Sequence, residues 1–353
     1  MKRESNADAQ KLTIQDIADR AGVSKSTVSR YLNQGYISDE KAERIRAVIE
    51  ETGYQANFFA KRLKMKQSKL IGIVLPRMDS VSVGKLLSGV GRILEPAGYQ
   101  GILLVSGLRQ EKEIENILKF SQQGVDGIIV DSVGITPRHV ALTQQLEVPL
   151  VYTGQQREGL RCLKIDDYAA GRLMGAYLRQ MGHVHAVFLG VSEKDHAVGV
   201  ERKQGFVDAF TEGRPEAQVS FVETGFDFFS AYSLGPTILS FGATVVVGAT
   251  DNISLGVLRY LHERGIRVPR DLSVAGFGGY DVGAVVYPAL TSVYFDYELV
   301  GMKVAQLMLD AIAGIESDLG GLPLHFLERE SVRRIGAGTE APVEERDVCT
   351  ALI

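Results

Sequence analysis

The chain has little cysteine. Its two residues, Cys162 and Cys349, lie far apart and supply neither a disulfide framework nor a metal cluster. No stretch approaches the roughly 18–20 apolar residues that a bilayer span needs. The first ten residues, MKRESNADAQ, are polar throughout and contain no apolar signal segment. These absences point to a cytoplasmic protein with no membrane partner. Catalytic signatures are also missing: there is no G-x-S-x-G elbow, Walker loop or H-E-x-x-H, so nothing in the sequence supports an enzyme. GVGRIL lies inside a helical stretch and lacks the third glycine of a dinucleotide loop. His183 and His185 in GHVHAV have no Cys, Asp or third His beside them, and a surface turn is expected there rather than a metal site. No cofactor and no metal is expected.

What is present suits a soluble globular protein of two or three domains: 353 residues, 45% apolar and 23% charged. The net charge of −4 is unevenly spread, with residues 1–68 at +4 (13 Lys and Arg against 9 Asp and Glu) and the remainder at −8. A small basic head on an acidic body suggests that the head alone meets a polyanion, although a solvated surface would carry the same modest excess.

The head begins with a helix-start signal, Thr13 as N-cap and Asp16 three residues on. Ile14, Ile17, Ala18 and Ala21 follow with helical spacing on one face. Gly22 ends this helix and Ser24 caps the next. A third helix is expected from Ser38, with Asp39 and Glu40 in its first turn, a buried stripe of Ala42, Ile45, Val48 and Ile49, and an end at Gly53. The second helix, in AGVSKSTVSRYLNQ, carries hydroxyls, an amide and two cations but almost nothing acidic. Two helices joined by a tight turn make a helix-turn-helix, whose second helix enters the major groove. Short Ser24, Ser26 and Ser29 allow close approach to phosphate, Lys25 and Arg30 supply charge, and Arg reads guanine edges bidentately. Thr13 and Ser24 offer hydroxyls and free N–H groups at helix starts. A three-helix interaction module with an ordinary polar face has the same spacing.

LTIQDIADRAGVSKSTVSRYLNQ followed by ISDEKAERIRAVIEETGY resembles the headpiece of the LacI/GalR family of bacterial repressors, and the resemblance continues over about residues 11–335. It implies an α/β protein with an all-α helix-turn-helix domain (11–55), a hinge helix or linker (56–68), a core of two parallel-sheet α/β subdomains similar to periplasmic binding proteins (69–335), and a tail (336–353) expected to be disordered. Headpiece contacts to operator DNA are implied for Thr13, Ser24, Lys25, Ser26, Ser29, Arg30, Asn33 and Tyr36. In the hinge, Leu63 matches a leucine wedged into the minor groove, with Asn57 and Ala60 beside it. Ala56 stands where the family usually has proline, so ordering this short helix costs more here; a flexible basic linker is the alternative. The resemblance further implies a homodimer, with a tetramer left open.

The body alternates short apolar runs with amphipathic stretches. LIGIVLP, GILLVS, VDGIIVDS, PLVYTG, AVFLGVS, TVVVGATD and LSVAGFG read as buried strands of parallel sheets covered on both faces. Ligands of such sheets bind beyond the carboxyl ends of the strands, and the count suggests two subdomains with a cleft between them. A return segment and a long final helix follow in LTSVYFDYELVGMKVAQLMLDAIAG. By resemblance, Arg202 in GVERKQGF reaches into the cleft toward the effector, Thr250 and Asp251 in GATDN lie at an effector-contacting strand end, and Phe226 stacks on a sugar. Gly278 and Gly154 stand where relatives often carry aspartates that grip sugar hydroxyls. Arg77 in LPRMDS sits at the cleft mouth with Asp79, Ser80 and a helix N-terminus. Fewer carboxylates and one more cation favour an anionic effector. The resemblance is nearest to trehalose- and sucrose-type sugar operon repressors, and trehalose-type members are similar around RMDS and ATD, which points to a sugar phosphate, such as a disaccharide phosphate. If Arg77 pairs with Asp79 instead, the effector is a neutral sugar. The expected function is a sequence-specific repressor of sugar-uptake or catabolic genes; the alternative is a sugar-binding protein without DNA regulation.

Overall fold

The computed structural model describes residues 12–32, 35–54, 67–317 and 319–336. The chain divides into two units, residues 1–68 and 69–353. The hinge positions Asn57, Ala60 and Leu63, as well as Asn33, Cys349 and nearly all of the tail, lie outside the described residues.

In the first unit, α1 (Ile14–Ala21) starts in a capping box. Thr13 Oγ1 accepts from the Asp16 N–H at 3.3 Å, and Asp16 Oδ2 accepts from the Thr13 N–H at 2.7 Å. Two of the N–H groups that a helix start leaves unpaired are thus satisfied reciprocally. Gly22 ends the helix at φ +61°, a left-handed conformation that favours glycine. After it, α2 (Lys25–Leu32) is capped by Ser24, whose Oγ accepts from the Thr27 N–H at 3.2 Å. The third helix, α3 (Asp39–Thr52), starts one residue later than Ser38, which is its N-cap but makes no side-chain capping bond. Ile17, Ala18, Ala21, Val28 and Ile45 form the buried centre, and Ile14, Val23, Leu32, Val48 and Ile49 close over it.

The second unit holds two sheets. The first contains β1 (Leu70–Leu75), β2 (Gln100–Val105), β3 (Gly127–Asp131), β4 (Leu150–Thr153) and β5 (Cys162–Leu163) in the order β2-β1-β3-β4-β5, all parallel. Alternating with them are α4 (Val81–Leu94), α5 (Gln110–Gln122) and α6 (Pro137–Gln145). The chain then enters the second half through α7 (Asp167–Gln180), β6 (His185–Gly190), a π-helix (His196–Arg202) and α8 (Lys203–Thr211). It continues as β7 (Gln218–Glu223), α9 (Phe228–Ser233), α10 (Gly235–Ser240), β8 (Val245–Gly248) and α11 (Asp251–Glu263). The last elements are β9 (Ser273–Gly278), α12 (Asp281–Val285), β10 (Thr291–Phe295), α13 (Tyr297–Ala313) and β11 (Leu324–Leu327). The second sheet has the order β11-β10-β9-β8-β6-β7, antiparallel only between β10 and β11.

Most of the apolar runs are buried as expected: β1, β4, β8 and β9 are buried at every position. GILLVS differs. It forms β2, an edge strand, and leaves Leu103 and Val105 exposed. His183 also differs from the surface turn expected of it. It is fully buried, bridging Thr244 Oγ1 at 2.8 Å and the Arg333 carbonyl at 3.1 Å.

The final helix returns to the first half. On α13, Val300, Val304 and Met308 pack with Ile71 and Ile129 of the first sheet and Leu86 of α4. This contact is close because Gly89 and Gly301 face the opposite backbone: a Cβ at Gly89 would collide with the Glu298 carbonyl, and one at Gly301 with that of Leu86. The second glycine of GVGRIL, Gly91, lies on the same helix, so the run packs helices and frames no dinucleotide loop. The halves are therefore joined by three segments: between β5 and α7, between β10 and α13, and between α13 and β11. In each sheet the strand order reverses beside its first strand, between β1 and β3 and between β6 and β8. Such switch points open a crevice at the carboxyl ends of strands, and the cleft lies there.

Candidate functional site: an exposed helix and an interdomain cleft

The polar face of α2 is the first site. Lys25, Ser26 and Arg30 are exposed, as are Thr13 and Ser24 at the helix starts, and Tyr36 is 93% exposed. Ser24 Oγ lies 2.8 Å from both Ser26 Oγ and Thr27 Oγ1, so hydroxyls cluster at the N-terminal end of α2. Ser29 is half-buried. No acidic residue lies on this helix. The described head as a whole is nearly balanced, with six Lys and Arg, two of them on α2, against seven Asp and Glu. The basic excess of residues 1–68 therefore comes from the segments on either side, and α2 is cationic because its acids are absent.

The second site is a cavity of about 150 Å³ between the two halves. Arg77, Ser80, Arg202, Phe226 and Thr250 line it, and all five were expected there. Asp79 and Asp251 do not line it. Asp79 is turned outward and held by Arg77, whose Nε and Nη2 donate to its two carboxylate oxygens at 2.6 and 2.8 Å. That guanidinium keeps the Asp79 carboxyl below its usual range. Asp251 is buried behind the strand end. It accepts from the Tyr280 N–H and Ser292 Oγ, each at 2.7 Å, and burial raises its carboxyl to about 6. Its place is structural: it ties α11 to the loop after β9.

Arg202 ends the π-helix and is 3% exposed. Its Nε donates to Asp167 Oδ1 at 2.9 Å, Nη2 donates to the same oxygen, and Nη1 donates to the Ala249 carbonyl at 2.6 Å. The guanidinium lies 5.2 Å from the Phe277 ring centre and 4.9 Å from that of Phe295. Phe226 faces Arg77 across the cleft at 5.6 Å, placing an aromatic face at the cavity wall. Thr250 caps α11 through the Ile253 N–H.

Sequence reasoning missed Asp131, Gln155, Asp167, Asp195, Tyr280 and Tyr297, all of which line the cavity. Asp131, Gln155 and Tyr280 stand at or just past the ends of expected strands, and that position was the available signal. The expectation of a cleft poor in carboxylates is overturned, since Asp131, Asp167 and Asp195 all line it. Burial raises Asp195 to about 6; burial, then Glu113, then Asp195 raise Asp131 to about 7. The two glycines leave room for these replacements. A Cβ on Gly154 (φ +79°) would lie 2.9 Å from Asp131 Oδ1, and one on Gly278 (φ +125°) 2.7 Å from the Tyr280 ring. Tyr280 is 4% exposed and lines the cavity together with Ser82 of α4 and Tyr297 of α13. Among the described residues no group of three His, Cys, Asp or Glu is arranged to hold a metal ion.

Comparison with known proteins bears on both sites. A profile described as "Bacterial regulatory proteins, lacI family" matches residues 13–57, and one described as "Periplasmic binding protein-like domain" matches residues 176–332. The sucrose operon repressor of Staphylococcus xylosus is 34% identical over 293 residues, covering 82% of this chain and 90% of that protein. The transcriptional regulator TreR of Salmonella typhimurium is 27% identical, covering 86% and 95%. Among solved structures, the lac repressor dimer bound to operator and anti-inducer superposes with a TM-score of 0.83 at 22% identity, covering 92% of this chain and all of that one. The CelR–cellobiose complex superposes at 0.66 with 26% identity, covering 91% and 99%. These relatives are regulators of transcription rather than enzymes. The chain belongs to the LacI family of bacterial regulatory proteins, and is a DNA-binding transcriptional repressor with an effector-binding domain of the sugar type.

Proposed function

We propose that the protein represses sugar-uptake or catabolic genes in the cytoplasm as a homodimer, and that an uncharged sugar in the cleft sets its operator affinity. Two copies of α2 on a two-fold axis read the two halves of a pseudo-palindromic operator. Thr13, Ser24, Lys25, Ser26, Ser29, Arg30, Asn33 and Tyr36 supply the headpiece contacts, and Asn57, Ala60 and Leu63 those of the hinge. The effector contacts come from Arg77, Ser80, Arg202, Phe226 and Thr250.

The observation that carries the effector class is the charge state of the cavity. Three carboxylates line it, and both of its arginines are already paired, Arg77 with Asp79 and Arg202 with Asp167. A phosphoryl group would enter against this excess of acid. A sugar instead presents hydroxyls to carboxyl groups and an apolar ring face to Phe226. A relative solved with cellobiose, a neutral disaccharide, supports the same class. The cavity of about 150 Å³ is below the ~300–1,000 Å³ that encloses a drug-sized ligand, so a disaccharide requires the halves to part. Opening of that kind gives the ligand different affinities for two arrangements, which any effector control requires.

The test is a thermal-shift screen of the full chain against glucose, fructose, sucrose, trehalose and their 6-phosphates. Positives are then added to chain bound to duplexes selected from a random library. A neutral sugar that shifts melting and changes duplex affinity supports the reading; response to a 6-phosphate alone restores Arg77 as a phosphate contact and defeats it.

A further inference from the structure

The carboxylates of the cleft differ in what already holds them. Asp167 is taken by Arg202. Asp195 accepts from the Gln155 amide at 3.0 Å and the Val198 N–H at 3.2 Å. Asp131 has no hydrogen-bond partner among the described residues, although it lines the same cavity. Asp131 is half-buried, and the cavity is the side from which a partner can come. The surrounding backbone keeps that approach open. Asp131 ends β3 opposite Thr153, and the residue after Thr153 is Gly154, where a Cβ would crowd Asp131 Oδ1 at 2.9 Å.

The electrostatic surroundings specify what the partner can be. Glu113 is fully buried behind the strand end, where it accepts from Ser132 Oγ at 2.7 Å and lies 3.3 Å from His139 Nε2; Asp195 stands across the cleft. Burial and these two acids together push the Asp131 carboxyl up to about 7. A carboxyl poised there can accept from a hydroxyl when ionised, and can both donate and accept when protonated. An incoming phosphoryl group would meet two acids and no unpaired guanidinium at the cavity wall.

We propose that Asp131 is the specificity-determining anchor of the cleft, gripping hydroxyls of a neutral sugar and discriminating against its phosphorylated form. This rests on the sugar reading given above and names the residue that enforces it. Arg202, by contrast, meets the effector with each of its donor nitrogens already engaged by protein, so it holds the cleft wall in place as well.

The test compares full-length wild type, Asp131→Ala and Asp131→Asn by thermal shift, titrating glucose, fructose, sucrose, trehalose and glucose 6-phosphate. The expected result has two parts. Without sugar, both variants melt at or above the wild-type temperature, because an unpartnered acid has been removed. With sugar, half-saturation by whichever neutral sugar shifts the wild type moves at least about tenfold higher in Asp131→Ala, the loss of one charge-assisted hydrogen bond. Unchanged half-saturation overturns the anchor. So does a melting temperature that falls without sugar in both variants, since this would make Asp131 a structural residue. If Asp131→Ala does not fold, Asp131→Asn, nearly identical in shape, is held to the same two readouts. A wild type that responds to none of the four neutral sugars defeats the sugar reading itself, whereas a responsive wild type matched by its variants defeats this proposal alone.

Discussion

A guanidinium and a carboxylate in the same buried corner are stable only while both are present. Arg202 and Asp167 are each under 5% exposed, and removing the cation leaves Asp167 buried without its partner. Arg202→Ala is therefore expected to lower stability by about 3–5 kcal/mol, seen as a drop in the melting temperature of the sugar-free protein. Replacing both residues with apolar ones of similar size, Arg202→Met with Asp167→Leu, should restore much of that loss. If the single variant melts like wild type, the pair is not carrying the cleft wall. A second expectation concerns pH. Because Asp131 and Asp195 titrate above the unfolded carboxylate value, the folded state holds their protons more tightly. Their contribution is full below about pH 4 and is lost as pH rises through about 6 to 7. His183 is pushed down to about 4 by burial; its contribution is present above the unfolded value of about 6.5 and is lost on acidification. Asp131→Asn removes the Asp131 part of the first trend and leaves those of Asp195 and His183. The variant should thus gain on wild type in melting temperature as pH rises from about 5 to 8, and a constant difference across that range would refute the assignment. Arg202 and Thr250 could be located from sequence because they sit in recognisable runs. Asp131 could not, since its role comes from Glu113 and Asp195, which lie 18 residues before it and 64 after it.

At the scale of elements, the glycines of α4 divide into two kinds. Gly89 faces the backbone of α13, whereas Gly84 has nothing within 4 Å of the position a Cβ would take. Gly89→Ala must push the helices apart and is expected to destabilise by roughly 1–3 kcal/mol. Gly84→Ala only removes backbone freedom from the unfolded chain and is expected to stabilise by about 0.5–1 kcal/mol. Denaturant unfolding of the two variants checks this, and equal effects would contradict the packing. The same contrast explains what could be read from sequence. Strands buried on both faces announce themselves as continuous apolar runs, and β1, β3, β4, β6, β8 and β9 were found that way. The edge strand β2 reads like them because its run is also apolar, and only neighbours in space make it an edge. At the other edge, β7 carries Gln218, Ser220 and Glu223 among its apolar residues, so it lacks a continuous run. The caps of α1 and α2 were legible because they act within three residues of the sequence. The meeting of α4 with α13 was not, because it joins residues about 200 apart.

Taken whole, the chain separates two tasks and links them through one connection. Each unit has its own buried centre, five residues in the head and three clusters in the body, so each has the apolar core a fold of its own requires. Within the body, three segments connect the two halves. Gln155 to Asp195 and Lys85 to Asp281 bridge the halves across the cleft. These contacts are few and polar, so a ligand can exchange with them at little net cost. From this division follows a test of the whole arrangement. A chain lacking residues 1–66 should keep the full sugar-induced melting shift and lose retention on duplex DNA. Full-length protein should bind its operator with an affinity that falls steeply with salt, by about 10³–10⁵ between roughly 50 and 200 mM for 6–10 phosphate contacts, because neutralised phosphates release counterions. Arg30→Ala should weaken binding to the selected duplex more than to random competitor, since a base-edge contact carries about 1–3 kcal/mol of discrimination whereas a phosphate contact is lost equally from every sequence. A uniform loss would move Arg30 from the groove to the backbone, and a flat salt response would remove α2 from the DNA altogether.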